Sequence, residues 1–218
     1  MNRDFWQARW DEGRIGFHQD EVNPYLQRYW PALNVPPGAT VFVPLCGKSR
    51  DMLWLRDQGY AVIGVEIVPQ AVEAFFDENN VVATCRQHGS FTLWESEGIK
   101  IYQGDFFEIT ANDLAAVGAV YDRASLIALP PAMRQSYAAH LRAILPDNMS
   151  VLLVTMDYPQ AEMDGPPFAV TEQEVAALHQ EYFKIEQVCS EDILAANPRF
   201  QEQGLSRLTE RVYALRAH

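Results

Sequence analysis

Two hydrophobic periodicities divide the chain. Over the first thirty-odd residues aromatic and apolar side chains recur at helical spacing: Trp6 and Trp10 stand four apart, and Tyr25, Leu26, Tyr29 and Trp30 share a face. Pro31 and then Pro36-Pro37-Gly38 close this helical preamble. From Thr40 the pattern changes to short continuous apolar runs separated by amphipathic stretches. Val41-Phe42-Val43 predicts a strand, and Ser49 a helix N-cap ahead of Met52, Leu53 and Leu55, with the helix stopping at Gly59. Residues 60–65 predict a strand buried on both faces, and Pro69 opens a helix carrying Val72, Phe75 and Phe76.

The stretch 80–98 is less regular, an elaboration with one short strand at 91–94, before a strand at 100–102 resumes the cycle. Residues 119–121 and 150–155 predict further strands, and between them Pro130-Pro131 opens a helix whose Tyr137, Leu141 and Ile144 face inward. A loop with Gly165-Pro166-Pro167-Phe168 precedes a helix starting near Thr171, and the tail holds two β-rich segments, 183–189 and 208–215. Alternation of Leu208, Glu210 and Val212 with polar neighbours predicts that the last is less buried than the earlier strands. Alternating strands and helices that end in two strands without a full helix between them indicate a doubly wound α/β sheet with an antiparallel strand at or near one edge.

Composition narrows the function. At 218 residues with 48% hydrophobic side chains, the chain fits one domain with a sizeable core. The 29 acidic against 17 basic residues, a formal charge of −12, repel phosphate backbones and anionic lipid surfaces, so neither nucleic acid nor membrane is an expected partner. Cys46, Cys85 and Cys189 are odd in number and lack metal-ligand spacing, which argues against a disulfide framework or a zinc site. No apolar run reaches membrane-spanning length and the N-terminus lacks a signal-peptide core, so a reducing cytoplasm is expected.

In an open parallel sheet the ligand crevice lies at the carboxyl ends of the strands. The loop after the first strand reads Pro44-Leu45-Cys46-Gly47-Lys48-Ser49, but a P-loop requires glycine where Phe42 stands, and no G-x-G-x-x-G is present. Gly47 is therefore either a tight turn or the floor of a site for something smaller than a di- or triphosphate. Nineteen residues on, the second strand ends in Glu66, placed to accept hydrogen bonds from a ribose diol or to stand solvated. Asp105 and Phe106 follow the next core strand and offer a carboxylate and an aromatic face for a base, or an Asx turn followed by core rings. Arg123 ends the fourth core strand, either as an anion contact or as an ion-pair partner of Asp122 or another acid. Trp6, Trp10 and Gly16-Phe17-His18-Gln19 precede the sheet and can fold over the crevice as a cover. His18 alone reads more readily as a structural histidine than as a base.

Taken together, Trp6-Gln7-x-x-Trp10, Gly16-Phe17-His18-Gln19, Val43-Pro44-Leu45-Cys46-Gly47-Lys48-Ser49, Gly64-Val65-Glu66, Tyr121-Asp122-Arg123 and Gly165-Pro166-Pro167-Phe168 resemble the thiopurine S-methyltransferase family in its shorter, bacterial form. The resemblance runs in order over nearly the whole chain. It implies a class I methyltransferase, Rossmann-like fold: one domain over 1–218, with residues 1–39 as a helical cover and 40–218 as a mostly parallel sheet of seven strands. It implies S-adenosyl-L-methionine as cofactor, and an aromatic thiol, with selenium or tellurium compounds as further acceptors. Trp10, Leu45, Glu66 and Arg123 fall on the family's cofactor contacts, with Glu66 on the ribose. Asp105 and Phe106 match the segment near the adenine, where mammalian members carry a different dipeptide, so the contact is through either carboxylate or backbone. Phe17 falls where an aromatic meets the acceptor, and Arg123 is also placed toward it. No dedicated general base and a monomer are expected. The competing readings are a P-loop-like nucleotide enzyme, suggested by Gly47-Lys48-Ser49, and a binding module that has lost the chemistry.

Overall fold

The computed structural model describes residues 2–218. Two short helices come first: α1 (Arg3–Asp11), capped by Asn2, and α2 (Pro24–Tyr29), capped by Asn23, whose side-chain oxygen accepts from Tyr25 N at 2.9 Å. The sheet then begins with β1 (Thr40–Val43), α3 (Asp51–Asp57), β2 (Ala61–Glu66) and α4 (Pro69–Glu78). Next come β3 (Thr84–His88), β4 (Phe91–Ser96), β5 (Ile99–Gln103) and β6 (Val117–Arg123). The remainder is α5 (Pro131–Ile144), β7 (Ser150–Asp157), α6 (Glu172–His179), β8 (Phe183–Asp192), the five-residue α7 (Pro198–Glu202) and β9 (Thr209–Ala217).

The strands form one sheet in the order β3-β4-β5-β2-β1-β6-β7-β9-β8. β5, β2, β1, β6 and β7 are parallel, and β9 runs antiparallel between β7 and β8. The expected seven strands are the run from β5 to β8. Stretch 80–98 corrects the count to nine, because its two strands add an antiparallel meander onto β5. β3 is exposed along its length, so it has no apolar periodicity by which to be recognised.

Alternation along the strands sends side chains to two cores. Phe42, Ile63, Val65, Val120 and Leu153 pack under α5 and α6, while Val41, Val43, Val62, Tyr121 and Leu152 pack under α2, α3 and α4. Being covered on both faces is what makes these strands read as unbroken apolar runs. β9 is internal, with Val212, Tyr213, Ala214 and Leu215 buried, but its remaining residues are only half-buried, so it is less buried than the earlier core strands, as expected. Among the described residues, no helix is long and apolar enough to cross a membrane.

The chain order reverses between β1 and β6, the switch point at which an α/β sheet opens a crevice. The N-terminal segment is fastened there by Asp51, at the start of α3 and 2% exposed. Its carboxylate accepts from Asn23 N at 2.8 Å and from Tyr121 Oη at 2.9 Å, so one buried acid joins cover, helix and sheet. Ser49 acts one residue away from its expected capping place: α3 starts at Asp51, and the Ser49 hydroxyl accepts from Asp51 N at 3.2 Å.

Candidate active site

A cavity of about 330 Å³ lies over the switch point, within the size range of small-molecule sites. Its floor is the backbone after β1 and β6. Leu45 (φ +46°), Gly47 (φ +53°) and Ala124 (φ +63°) all adopt left-handed conformations, which for Leu45 and Ala124 cost roughly 1–2 kcal/mol each. Ser125 holds these turns together, its hydroxyl donating to Pro44 O at 2.7 Å. Gly64 lets the loop approach β2, since a Cβ there would stand 2.7 Å from Cys46 Sγ.

Glu66 ends β2 in the cavity wall and is 7% exposed. One carboxylate oxygen accepts from Gly47 N at 2.9 Å, the other from Val68 N at 2.8 Å. Burial raises its carboxyl above the ordinary range, and the two amides act in the opposite direction. Each oxygen retains a second lone pair for a ligand. Arg123 also lines the cavity, its Nη2 donating to Phe17 O at 3.3 Å. Its nearest acid is Asp51, 4.0 Å away, rather than Asp122. Asp122 turns inward instead, where Tyr137 Oη donates to it at 2.6 Å, and burial pushes its carboxyl up to about 6.

The roof comes from outside the sheet. Trp10 lies over Gly47, where a Cβ would be 3.7 Å from the indole, and Phe17 meets Trp6 and Trp10 edge-on at 5.9 and 6.1 Å between centroids. Pro166, Pro167 and Phe200 line the cavity as well, and so does Arg199, whose guanidinium packs against Gly16 of the cover. His18 lines the cavity too, but burial, then Lys48 and Arg123, lower its pKa and favour the neutral ring. Lys48 is tied to Glu78 at 2.7 and 2.8 Å, so it does not serve as a P-loop lysine.

Trp10, Phe17, Leu45, Glu66 and Arg123 are thus brought together. Asp105 and Phe106 stand apart from the cavity lining. Asp105 accepts from Phe107 N at 3.0 Å at the head of a short 3₁₀ turn. The Phe106 ring is fully buried against Tyr137, 4.8 Å between centroids, so the ring itself is core and only the backbone of this residue can face a ligand. Four charged lining residues were not anticipated from the sequence: Arg9, Arg14, Arg199 and Glu210. Arg9 follows Trp6 by three on the same helix, a spacing that could have found it. Arg199 sits on a helix too short to show periodicity.

Comparison with solved structures places this architecture. A Burkholderia thailandensis 1,6-didemethyltoxoflavin-N1-methyltransferase with bound S-adenosylhomocysteine superposes with a TM-score of 0.65 at 19% identity, covering 99% of this chain and 86% of that one. A methyltransferase dependent on S-adenosyl-L-methionine from Anabaena variabilis gives 0.67 at 14% identity, with 99% and 95% covered. The fold is that of the class I methyltransferases. A family model described as thiopurine S-methyltransferase matches residues 1–218. Proteins of that name from Nitrosospira multiformis and Pseudomonas entomophila are 54% and 52% identical over 215 residues, covering 99% of this chain and 98% and 99% of theirs. The chain belongs to the thiopurine S-methyltransferase family, and its methyl donor is S-adenosyl-L-methionine.

Proposed function

We propose that the chain transfers the methyl group of S-adenosyl-L-methionine to the sulfur of aromatic or heterocyclic thiols such as thiopurines. The observation that carries this reading is a single cavity in which the strand-end carboxylate of Glu66 and the aromatic wall of Trp6, Trp10 and Phe17 face a common space. The residues suit the donor. Glu66 has spare lone pairs for a ribose diol, the Leu45 to Gly47 backbone gives a close-approach floor, and Arg123 is a cation for a carboxylate. Trp10 covers that floor, and the adenine end points toward the 105–106 segment, which stands beyond the cavity lining. When bound, the donor supplies a sulfonium methyl already activated for in-line displacement.

The protein's own work is then to bind, align and exclude water. Phe17, Pro166 and Pro167 hold a flat acceptor, and residues 1–39 act as the cover of one domain. A thiol conjugated to ring nitrogens ionises easily, so positioning suffices for it without a dedicated base. Selenium and tellurium compounds fit the same reading when anionic, because Arg9, Arg14 and Arg199 all line the cavity, close enough that, after burial, Arg14 and Arg199 lower the pKa of Arg9. The activity belongs to a monomer in the cytoplasm, with neither nucleic acid nor membrane as partner. Incubation with methyl-labelled donor and a panel of aromatic thiols tests the reading: label in the thioether is expected, and its absence across the panel overturns the assignment.

A further inference from the structure

Among the described residues lining the cavity, the carboxylates are Glu66 and Glu210, and the donor site uses only the first. Glu210 lies on β9, in register with Met156 of β7 on one side and Glu191 of β8 on the other. Two carboxylates opposed across an antiparallel pair are unfavourable unless a proton or a cation intervenes. Here Tyr25 of α2 donates to Glu191 Oε2 at 3.0 Å, on the carboxylate that stands opposite Glu210 in the ladder. Glu191 is 46% exposed, with Arg28 at 3.9 Å, so this end of the chain of groups meets water.

The other groups facing the cluster are Arg123 and Tyr121 from β6, with Asp51 of α3 behind them, and Cys189 of β8 beside Tyr25. Burial raises the Glu210 carboxyl above the ordinary range, with Arg123 drawing it back. A half-buried carboxylate at the cavity wall, opposed in register to an exposed one that holds a tyrosine hydroxyl, has the arrangement of a proton acceptor with an exit.

We propose that Glu210 takes the proton of acceptors whose thiol is not already ionised, and that Tyr25 and Glu191 return it to solvent. This rests on the S-methyl reading above and extends it to weakly acidic thiols. The S–H bond breaks with its proton passing to a Glu210 oxygen. The sulfur's electron pair forms the new S–CH₃ bond as the bond between methyl and the donor's sulfonium breaks, leaving that pair on the donor sulfur. Both products are neutral at sulfur, and protonated Glu210 passes its proton on toward Glu191 and water.

The test compares the wild type with Glu210→Gln on two acceptors, a heterocyclic thiol ionised at neutral pH and benzyl thiol, which is not. The quantity read is the ratio of their kcat/KM values across pH. The ratio of benzyl to ionised thiol is expected to fall about 10²-fold in the variant, at the lower end of general-base effects, and the acid limb of the benzyl thiol profile to vanish. Tyr25→Phe, expected to lower the same ratio by a smaller factor, serves if Glu210→Gln does not fold. An unchanged ratio, or a wild type that methylates only the ionised thiol, overturns the proton role alone. A wild type that methylates neither thiol overturns the S-methyl reading, and this role with it.

Discussion

Replacing Glu66 with glutamine separates two roles that the structure gives one side chain. The carboxylate accepts from Gly47 N and Val68 N through different oxygens, at 2.9 and 2.8 Å, in a buried setting. Glutamine keeps the shape but turns one acceptor into a donor, so one of the two amides then faces an N–H. An unsatisfied buried group of this kind costs about 1–3 kcal/mol, which for a chain of this size lowers Tm by about 2–12 °C without any ligand. The ribose role adds a separate loss. If the same oxygens hold the diol, removing one acceptor weakens donor binding by about 1–3 kcal/mol, an increase in Kd of about 5- to 150-fold. Calorimetric unfolding of the free protein measures the first effect, and titration with S-adenosylhomocysteine the second. An unchanged Kd with a lowered Tm refutes the ribose contact. An unchanged Tm refutes the argument that Glu66 holds the loop.

Three further outcomes are expected. Asp122 titrates near 6 in the folded protein against 3.8 as its ordinary value, so the proton is held more tightly in the folded state. Its stabilising contribution is complete below pH 3.8 and is lost as pH rises through about 6; between pH 5 and 8 the remaining loss is about 1.4 kcal/mol. Denaturant unfolding of Asp122→Asn against wild type should show the stability difference shift by that amount in favour of the variant, and a pH-independent difference would contradict it. Gly64→Ala brings a Cβ to 2.7 Å from Cys46 Sγ and should cost about 1–3 kcal/mol by overpacking. In a double-mutant cycle with Cys46→Ala the two changes should couple favourably by more than 0.5 kcal/mol, roughly the limit of simple additivity; additive costs would place the strain elsewhere. Phe17→Leu should raise the acceptor KM while leaving S-adenosylhomocysteine affinity within about twofold, and weakened donor binding instead would assign Phe17 to the donor half.

The parallel strands and the helices between them were legible because burial on both faces writes itself as apolar runs, and proline or glycine marks the ends of the elements. Of the two strands added beyond seven, β4 falls on the strand expected at 91–94, and only β3 was harder to see, for the opposite reason. β3 buries almost nothing, and its pairing with β4 depends on backbone hydrogen bonds that any exposed sequence can make. Within the site, residues at strand ends were legible because topology alone puts Glu66 and Arg123 at the crevice. Leu45 and Ala124 carry positive φ without being glycine, so no residue type announced those turns. The mismatch at Phe106 has a simple cause: a ring next to a ligand-facing backbone and a ring in the core occupy the same place in the sequence, and burial alone distinguishes them.

Net charge and local charge act at different ranges here. The total of −12 is spread over a surface where physiological salt screens interactions beyond about 8 Å, so it governs encounters with large polyanions rather than what happens inside a cavity. Within the cavity wall, Arg9, Arg14, Lys48, Arg123 and Arg199 stand against Glu66 and Glu210, and Lys48 is already paired with Glu78. The arginines are grouped by place: Arg123 lies by the switch point next to Asp51, while Arg9, Arg14 and Arg199 gather on the side of the N-terminal cover, where Arg14 is paired with Glu12. On the proposed reading, an anionic acceptor would meet the second group at short range, while the distant surface acids are screened. Net acidity is therefore no argument against the anionic acceptors proposed above, because the basic residues nearest them come from the segments that close over the sheet rather than from the sheet itself.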